Sequence, residues 1–253
     1  MSIDEAIARG RAELAEALRQ IEARLAEDRS RARAPLVRQQ HEIRRMLDPG
    51  YAYSSQAGQD RVVDRLMGGK PGVFADIGGY DGVTGSNTLF LEQRRGWTGV
   101  LVEPVPAQLA RATAVRRCPC LPYAVAAGEG RADFVAVTAG YTQMSGLAGS
   151  YDAALLDRVR ADPRHAEERI EVETRSLSTI FDEAGIGTPD FVSLDIEGGE
   201  LAALEAFDFD RHRVALWAIE NNAGSPDLGR IMRETGHDLV EFCGPDELWR
   251  RRA

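Results

Sequence analysis

The stretch Gly72-Val73-Phe74-Ala75-Asp76-Ile77-Gly78-Gly79-Tyr80-Asp81-Gly82 decides the fold class. An apolar run ends in an acid, and closely spaced glycines follow at once. Such a run predicts a strand that breaks into a tight turn ahead of a helix. Glycine is needed there because the backbone bends sharply and a ligand must approach it without meeting a Cβ. The spacing is D-x-G-x-x-x-G. A dinucleotide fingerprint reads G-x-G-x-x-G, and counted from Gly78 it would need glycine where this chain has Tyr80 and Val83. NAD is therefore disfavoured. An acid beside an open glycine turn suits a zwitterionic nucleoside such as S-adenosylmethionine, with a purely structural turn as the other reading.

Working outward, strand-like and helix-like segments alternate. Helical patterns precede the turn at residues 59–67 and follow it at 86–95. Residues 99–103 read as a second strand ending in an acid, 107–116 as a helix, 123–127 as a third strand and 132–138 as further β pattern. A helix over 152–162, alternation over 170–174 and a helix over 177–184 come next. Residues 190–195 form a buried strand tipped by Asp195, with a helix from Glu197. Residues 214–220 form another strand, 228–236 a helix, and 238–243 could close the sheet. This order predicts an α/β fold with a doubly wound, mainly parallel sheet.

Residues 1–48 stand apart from the domain at 49–253. They lack aromatic residues and carry apolar positions at Ile7, Leu14, Leu18, Ile21 and Leu25, a short heptad seam interrupted by Pro35. That helical arm either pairs chains into a homo-oligomer or lies on its own domain, and the narrow seam favours pairing.

The chain has 253 residues, 43% hydrophobic and 28% charged, enough for one sizeable domain plus an appendage. Its net charge of −9, with no basic cluster, argues against nucleic acid as a partner. Cys118, Cys120 and Cys243 are odd in number and form no CxxC pair, so neither a disulfide framework nor a thiolate metal site is expected. The charged start and the lack of a membrane-length apolar run make a cytoplasmic protein the default expectation.

Ligands of such sheets bind outside the carboxyl ends of the strands. This sequence sets Asp76, Glu103, Asp195, Glu220, Asn221 and Asn222 at those ends, behind apolar strand bodies. Glu103 is where a second strand would offer a carboxylate to a ribose diol, in charge-assisted hydrogen bonds. A helix-start acid beside Pro104 is the alternative. Asp195 is the candidate base or acceptor-orienting group, and its alternative is a cap for the helix that follows.

These motifs carry a resemblance. Asp76-Ile-Gly-Gly-Tyr-Asp-Gly82, Gly85-Ser-Asn-Thr-Leu-Phe-Leu-Glu92, Gly96-Trp-Thr-Gly-Val-Leu-Val-Glu-Pro104 and Ser193-Leu-Asp-Ile-Glu-Gly-Gly-Glu200 resemble the FkbM family of S-adenosylmethionine-dependent methyltransferases. So do Ser55-Gln-Ala-Gly-Gln-Asp60, Tyr141-Thr-Gln-Met-Ser-Gly146 and Glu220-Asn-Asn222. The likeness spans residues 53–243 and leaves the arm outside. It implies a class I Rossmann-like fold and methyl transfer to oxygen, on a sugar or another polyhydroxylated small molecule. It also implies that the cofactor contacts Gln59, Asp76, Gly78, Gly79, Tyr80, Gly82, Ser86, Asn87, Glu103, Pro104, Ala126 and Asp195. The acceptor would meet Tyr141, Gln143, Met144, Ser145, Glu197, Glu220 and Asn222.

Asp195, Glu220 and Asn221 also resemble the Asp…Asp-Asn set by which catechol-type O-methyltransferases hold magnesium, with Glu replacing the second Asp. An oxygen-rich trio suits Mg²⁺ or another hard divalent cation. Glu220 and Asn222 could instead hydrogen-bond substrate hydroxyls or loop backbone. His165 and His212 read as surface histidines, with a role as base the alternative. A non-catalytic partner-binding protein on the same fold is the rival reading.

Overall fold

In the computed structural model, which describes residues 1–252, the chain opens with a helical hairpin. Helix α1 (Ile3–Glu27) starts on a capping box of Ser2 and Glu5, and α2 (Ala34–Leu47) carries Pro35 in its first turn. Helix α1 stops at Glu27, well ahead of the proline, which suits the start of α2 because a first turn leaves its missing N–H unused. The hairpin lies on its own domain. Ile21 and Leu25 are buried, with Leu14 and Leu18 beside them, in one hydrophobic cluster with Val37, Phe74, Leu91 and Trp97. Ion pairs fasten it to the far edge of the sheet, a buried one from Arg33 Nε to Glu241 at 2.6 Å and a partly exposed one from Arg31 Nη1 to Glu247 at 2.5 Å. Met1, Ile3 and Ile7 stay exposed, so pairing of chains through the seam would have to use that end.

The domain then runs α3 (Gln59–Leu66), β1 (Val73–Ile77), α4 (Leu89–Arg95), β2 (Thr98–Val102), α5 (Pro106–Val115) and β3 (Cys120–Leu121). Next come β4 (Tyr123–Val125), β5 (Gly130–Ala139), β6 (Gly146–Leu147), α6 (Ala153–Arg160), β7 (Ala166–Arg175) and α7 (Leu177–Glu183). The chain finishes with β8 (Phe191–Leu194), α8 (Glu200–Glu205), β9 (Leu216–Glu220), α9 (Pro226–Glu234), β10 (His237–Cys243) and β11 (Asp246–Arg251).

Seven strands form the main sheet, in the order β10-β11-β9-β8-β1-β2-β3. The run from β9 to β3 is parallel, and β11 is antiparallel to both of its neighbours. Alternation along β1 sends Ala75 and Ile77 to one face and Phe74 to the other. Each face carries its own hydrophobic cluster, so the sheet is buried on both sides. Strand order switches sides at β1, with β2 and β3 laid on one side and β8 and β9 on the other, and a crevice opens at the carboxyl ends there.

Two strand assignments need correction. The third strand of the main sheet is the two-residue β3, whereas residues 123–125 belong to a second sheet, ordered β4-β7-β5-β6. Ten-residue strands β5 and β7 pair antiparallel there, and Phe134 packs against Val172. The second correction is β11, whose acids and arginines hide it from a reading of hydrophobic pattern.

Candidate active site

The carboxyl ends of β1, β2, β8 and β9 converge on a cavity of about 510 Å³, within the range of small-molecule sites. The glycine turn forms one wall. Gly78 N and Gly79 N both donate to the Val102 carbonyl at 3.0 Å, which folds the turn over the end of β2. Gly78 has φ +80°, and a Cβ on it would lie 1.8 Å from the Asp195 carbonyl oxygen. Only glycine lets β1 and β8 come so close. Gly82, with φ +78°, lies outside the wall, and a Cβ there would press on Arg116.

Glu103 sits at the tip of β2, buried, between two backbone donors. Tyr80 N donates to its Oε2 at 3.0 Å and Val105 N to its Oε1 at 2.8 Å. Burial pushes its carboxyl up to about 7, against the pull of those two N–H groups. Each oxygen keeps a lone pair for the cavity that it lines.

Asp76 lines the cavity too, yet its Oδ2 is already occupied. Thr88 Oγ1 donates to it at 2.5 Å, Ser86 Oγ at 3.3 Å and Arg116 Nη1 at 3.2 Å. Arg116 was not singled out in the sequence, where it reads as a helix-end arginine. Its fully buried guanidinium also donates to Glu92 Oε2 at 3.0 Å, Thr88 Oγ1 at 2.8 Å and the Gly82 carbonyl at 3.3 Å, while it lies over the Phe74 ring.

Across the crevice lie Asp195, Glu197 and Glu220. One carboxylate oxygen from each lies within 4.8 Å of the others. Burial first, and then neighbouring acids, raise all three carboxyls well above the ordinary carboxylate range. Asp246 and Glu200 act on Asp195, whose hydrogen bond with Glu220 pulls the other way, and Asp195 acts on Glu197 and Glu220. Helix α8 starts at Glu200 rather than Glu197, because the Glu200 carboxylate folds back to accept from Ile196 N at 2.9 Å and Gly198 N at 3.1 Å. The resulting turn holds Glu197 at φ +58°. Tyr80, at φ +49°, is the other non-glycine residue in that region among the described residues, and both line the cavity. Such backbone costs about 1–3 kcal/mol and collects at functional sites.

A stability prediction follows from that strain. Glu197→Gly removes both the left-handed penalty and a buried carboxyl whose Oε2 has no partner, at the cost of a more flexible unfolded chain. About 1 kcal/mol of net stabilisation, or roughly 2–4 °C in Tm for a domain of this size, is expected from thermal melts. A lower Tm would mean that the side chain braces the loop.

Residues 141–145 roof the cavity, with Tyr141, Gln143, Met144 and Ser145 all in its wall. Thr142 Oγ1 and Tyr80 Oη lie 2.6 Å apart and join the roof to the glycine turn. Ser145 Oγ accepts from Val137 N at 3.0 Å, so that hydroxyl mainly holds the loop to β5. Ser86, Asn87 and Pro104 reach the wall as expected, and Gln108, Ser193, Phe134 and Arg158 join them without a sequence signal that named them.

Other expected contacts fall outside this wall. Gln59 Nε2 donates to Asp246 Oδ2 at 2.9 Å beneath β11, and Ala126 N pairs with the Arg175 carbonyl, one residue beyond the lining Val125. Asn222 is exposed and borders a smaller cavity of about 180 Å³. Asn221 is a correction to the expected metal trio. Its amide donates to the Ser225 carbonyl and to Glu247, and its Oδ1 accepts from Ser225 N, so the side chain is spent on the loop. Glu197 stands with Asp195 and Glu220 in its place.

Among the described residues, the buried side-chain oxygens left without a partner are Asn87 Oδ1, Gln108 Oε1 and Glu197 Oε2. All three residues line this cavity. A buried unpaired acceptor is costly, so the cavity is built for a ligand rich in donors or positive charge. A family model described as Methyltransferase FkbM domain matches residues 76–242, from the acid of the glycine turn to β10. This chain belongs to the FkbM methyltransferase family. Among solved structures, the crystal structure of Methyltransferase FkbM from Methylobacillus flagellatus KT is similar, at 15% identity and a TM-score of 0.46. The match covers 93% of this chain and 58% of that one, so this FkbM chain spans just over half the length of that relative. A search of curated proteins found no match. No described helix of this FkbM protein is long and apolar enough to cross a membrane.

Proposed function

We propose that this protein is an S-adenosylmethionine-dependent O-methyltransferase of class I, Rossmann-like type, acting on a hydroxyl of a sugar or another polyhydroxylated small molecule in the cytoplasm. The observation that carries the reading is Glu103, a buried carboxylate with free lone pairs facing the cavity beside the glycine turn. Two hydroxyls donating to one carboxylate is the bonding a ribose diol seeks. The unpartnered Asn87 and Gln108 oxygens suit the same donor-rich, cationic ligand. When bound, S-adenosylmethionine supplies an electrophilic methyl group carried on a sulfonium.

The chain's own residues would do the rest. Glu103 fixes the cofactor's sugar, and the glycine turn lets the backbone approach. Asp195, across the crevice, orients the acceptor hydroxyl and takes its proton. A carboxyl raised by burial and by neighbouring acids is a better base near neutral pH than an ordinary one. The roof at 141–145 keeps water from the reacting oxygen. Acceptor groups at Glu197, Gln143 and Tyr141 favour a ligand with several hydroxyls.

Isothermal titration with S-adenosylmethionine tests the reading directly. Glu103→Ala should weaken binding by about 1.5–3 kcal/mol per charged hydrogen bond lost. The pH dependence has a definite sign. Donor hydroxyls prefer the ionised carboxylate, and Glu103 protonates near 7 in the free protein, so affinity should fall as pH drops through about 7. Glu103→Gln should flatten that dependence. Wild-type protein that fails to bind would sink the proposal.

A further inference from the structure

Buried carboxylates elsewhere in this protein have donors. Asp76 and Glu92 share Arg116, Glu241 takes Arg33, and Glu247 takes Arg31. Asp246 accepts from the Gln59 amide, and Glu200 from two backbone N–H groups. Asp195, Glu197 and Glu220 break the pattern. Among the described residues, no arginine, lysine, histidine or backbone N–H donates to any of the three; Asp195 and Glu220 hydrogen-bond only to each other, and one oxygen of each acid lies within 4.8 Å of the others. The second observation is Glu197 itself. The residue is 5% exposed, belongs to the cluster, and its Oε2 is sealed from solvent with no partner.

We propose that Asp195, Glu197 and Glu220 form a seat for one divalent cation, which presents a pair of adjacent acceptor oxygens to the methyl-transfer site. A single positive charge, such as an ammonium, would leave two of three carboxylates uncompensated, whereas a divalent ion leaves one. Oxygen-only ligation selects hard cations. Two ligands facing each other across an ion lie twice the metal–oxygen distance apart, about 4.6–5.2 Å for Ca²⁺ and about 4.0–4.2 Å for Mg²⁺. Oxygens within 4.8 Å of one another can converge on one such ion once the side chains close in, and the spacing does not choose between Ca²⁺ and Mg²⁺.

The three acids come from two strand ends and one turn, and all line the cavity that holds Glu103. Three carboxylates leave open positions on an ion of six to eight ligands. A vicinal diol or a hydroxy-carbonyl fills two of them at once, and the ion lowers the hydroxyl's pKa. Asp195 can bind the ion through one oxygen and accept the hydroxyl proton on the other. The seat stands on the carboxylates alone, while its role in catalysis rests on the methyltransferase reading.

The test uses the full chain, stripped with chelator and dialysed, then titrated calorimetrically with Ca²⁺ and with Mg²⁺. The same preparation is titrated with S-adenosylhomocysteine, so that failure to bind an ion is separated from failure to bind the cofactor. One ion per chain is expected, with Glu197→Gln and Glu220→Gln each weakening it tenfold or more and leaving S-adenosylhomocysteine affinity within about twofold. Thermal melts check that the variants fold. Should one not fold, the other variant and the wild-type titration decide. Absence of divalent binding at millimolar concentration overturns the proposal. So does ion binding indifferent to both substitutions, or a site taken by methylammonium but by neither metal.

Discussion

Asp195→Asn is expected to cut turnover by about 10²–10⁴-fold, the usual contribution of a positioned acid or base. S-adenosylmethionine affinity should change by no more than about threefold. The asymmetry follows from where the residue acts. The Asp195 backbone contributes to the cofactor wall, its carbonyl packed on Gly78 and its N–H donating to the Ile77 carbonyl at 3.1 Å. Asparagine leaves both intact. The side chain shares a hydrogen bond with the Glu220 carboxyl, which an amide can also make, and the substitution removes one ionisable group from a crowd of buried acids. Melting temperature should hold or rise. The pH profile gives the second readout: in chelator-treated wild type kcat/KM should climb with pH through a midpoint above the ordinary carboxylate range, because the base must be ionised in the free enzyme. That limb should vanish in the variant. If turnover stays within tenfold of wild type, Asp195 is a turn residue and the base lies elsewhere.

What made this site legible was local. An apolar strand, an acid and two glycines can be read from eleven consecutive residues, since strand, turn and close approach are all decided within that span. Strand tips are legible for the same reason, and Glu103, Asp195 and Glu220 all reach the cavity. Long-range pairing was not. The residues of β7, Ala166-Glu-Glu-Arg-Ile-Glu-Val-Glu-Thr-Arg175, alternate as a strand must, but nothing in them says that the partner is β5 rather than the main sheet. Strand β11 reads as a charged tail because its partners are far away in sequence: Arg31 pairs with Glu247, and the Gln59 amide donates to Asp246 inside the fold. The exchange of Asn221 for Glu197 has a similar origin. Spacing puts Asn221 just past β9, but the loop to Ser225 consumes its amide, while Glu200 folds back and turns Glu197 inward. Side-chain direction after a strand end depends on such turns, and periodicity does not encode them.

Arg116→Met should cost about 3–5 kcal/mol of stability, the price of breaking a buried charge network by removing one partner. At about 2–4 °C per kcal/mol for a chain of this length, Tm should fall by roughly 6–20 °C. Methionine approximates the stem's packing over Phe74, so the loss would come from the charge. Asp76 and Glu92 would be left buried with no cation, and the Gly82 carbonyl and Thr88 hydroxyl would each lose a donor. Lysine should not rescue it. One ammonium cannot reproduce a planar fork that serves Glu92, Asp76 and Thr88 together. A compensating pair distinguishes this account from simple loss of packing. Adding Asp76→Asn and Glu92→Gln to Arg116→Met removes both stranded charges, and the triple variant should recover a substantial part of the loss, a coupling expected only among residues in one network. The turn supplies a further readout. Arg116 ties Asp76 at the end of β1 to Gly82 and Ser86 on the far side of the glycine loop. Loosening that tie should weaken S-adenosylmethionine binding even at temperatures where the variant remains folded. Equal melting of the single and triple variants, or unchanged cofactor affinity in both, would mean that Arg116 merely fills space beneath the turn.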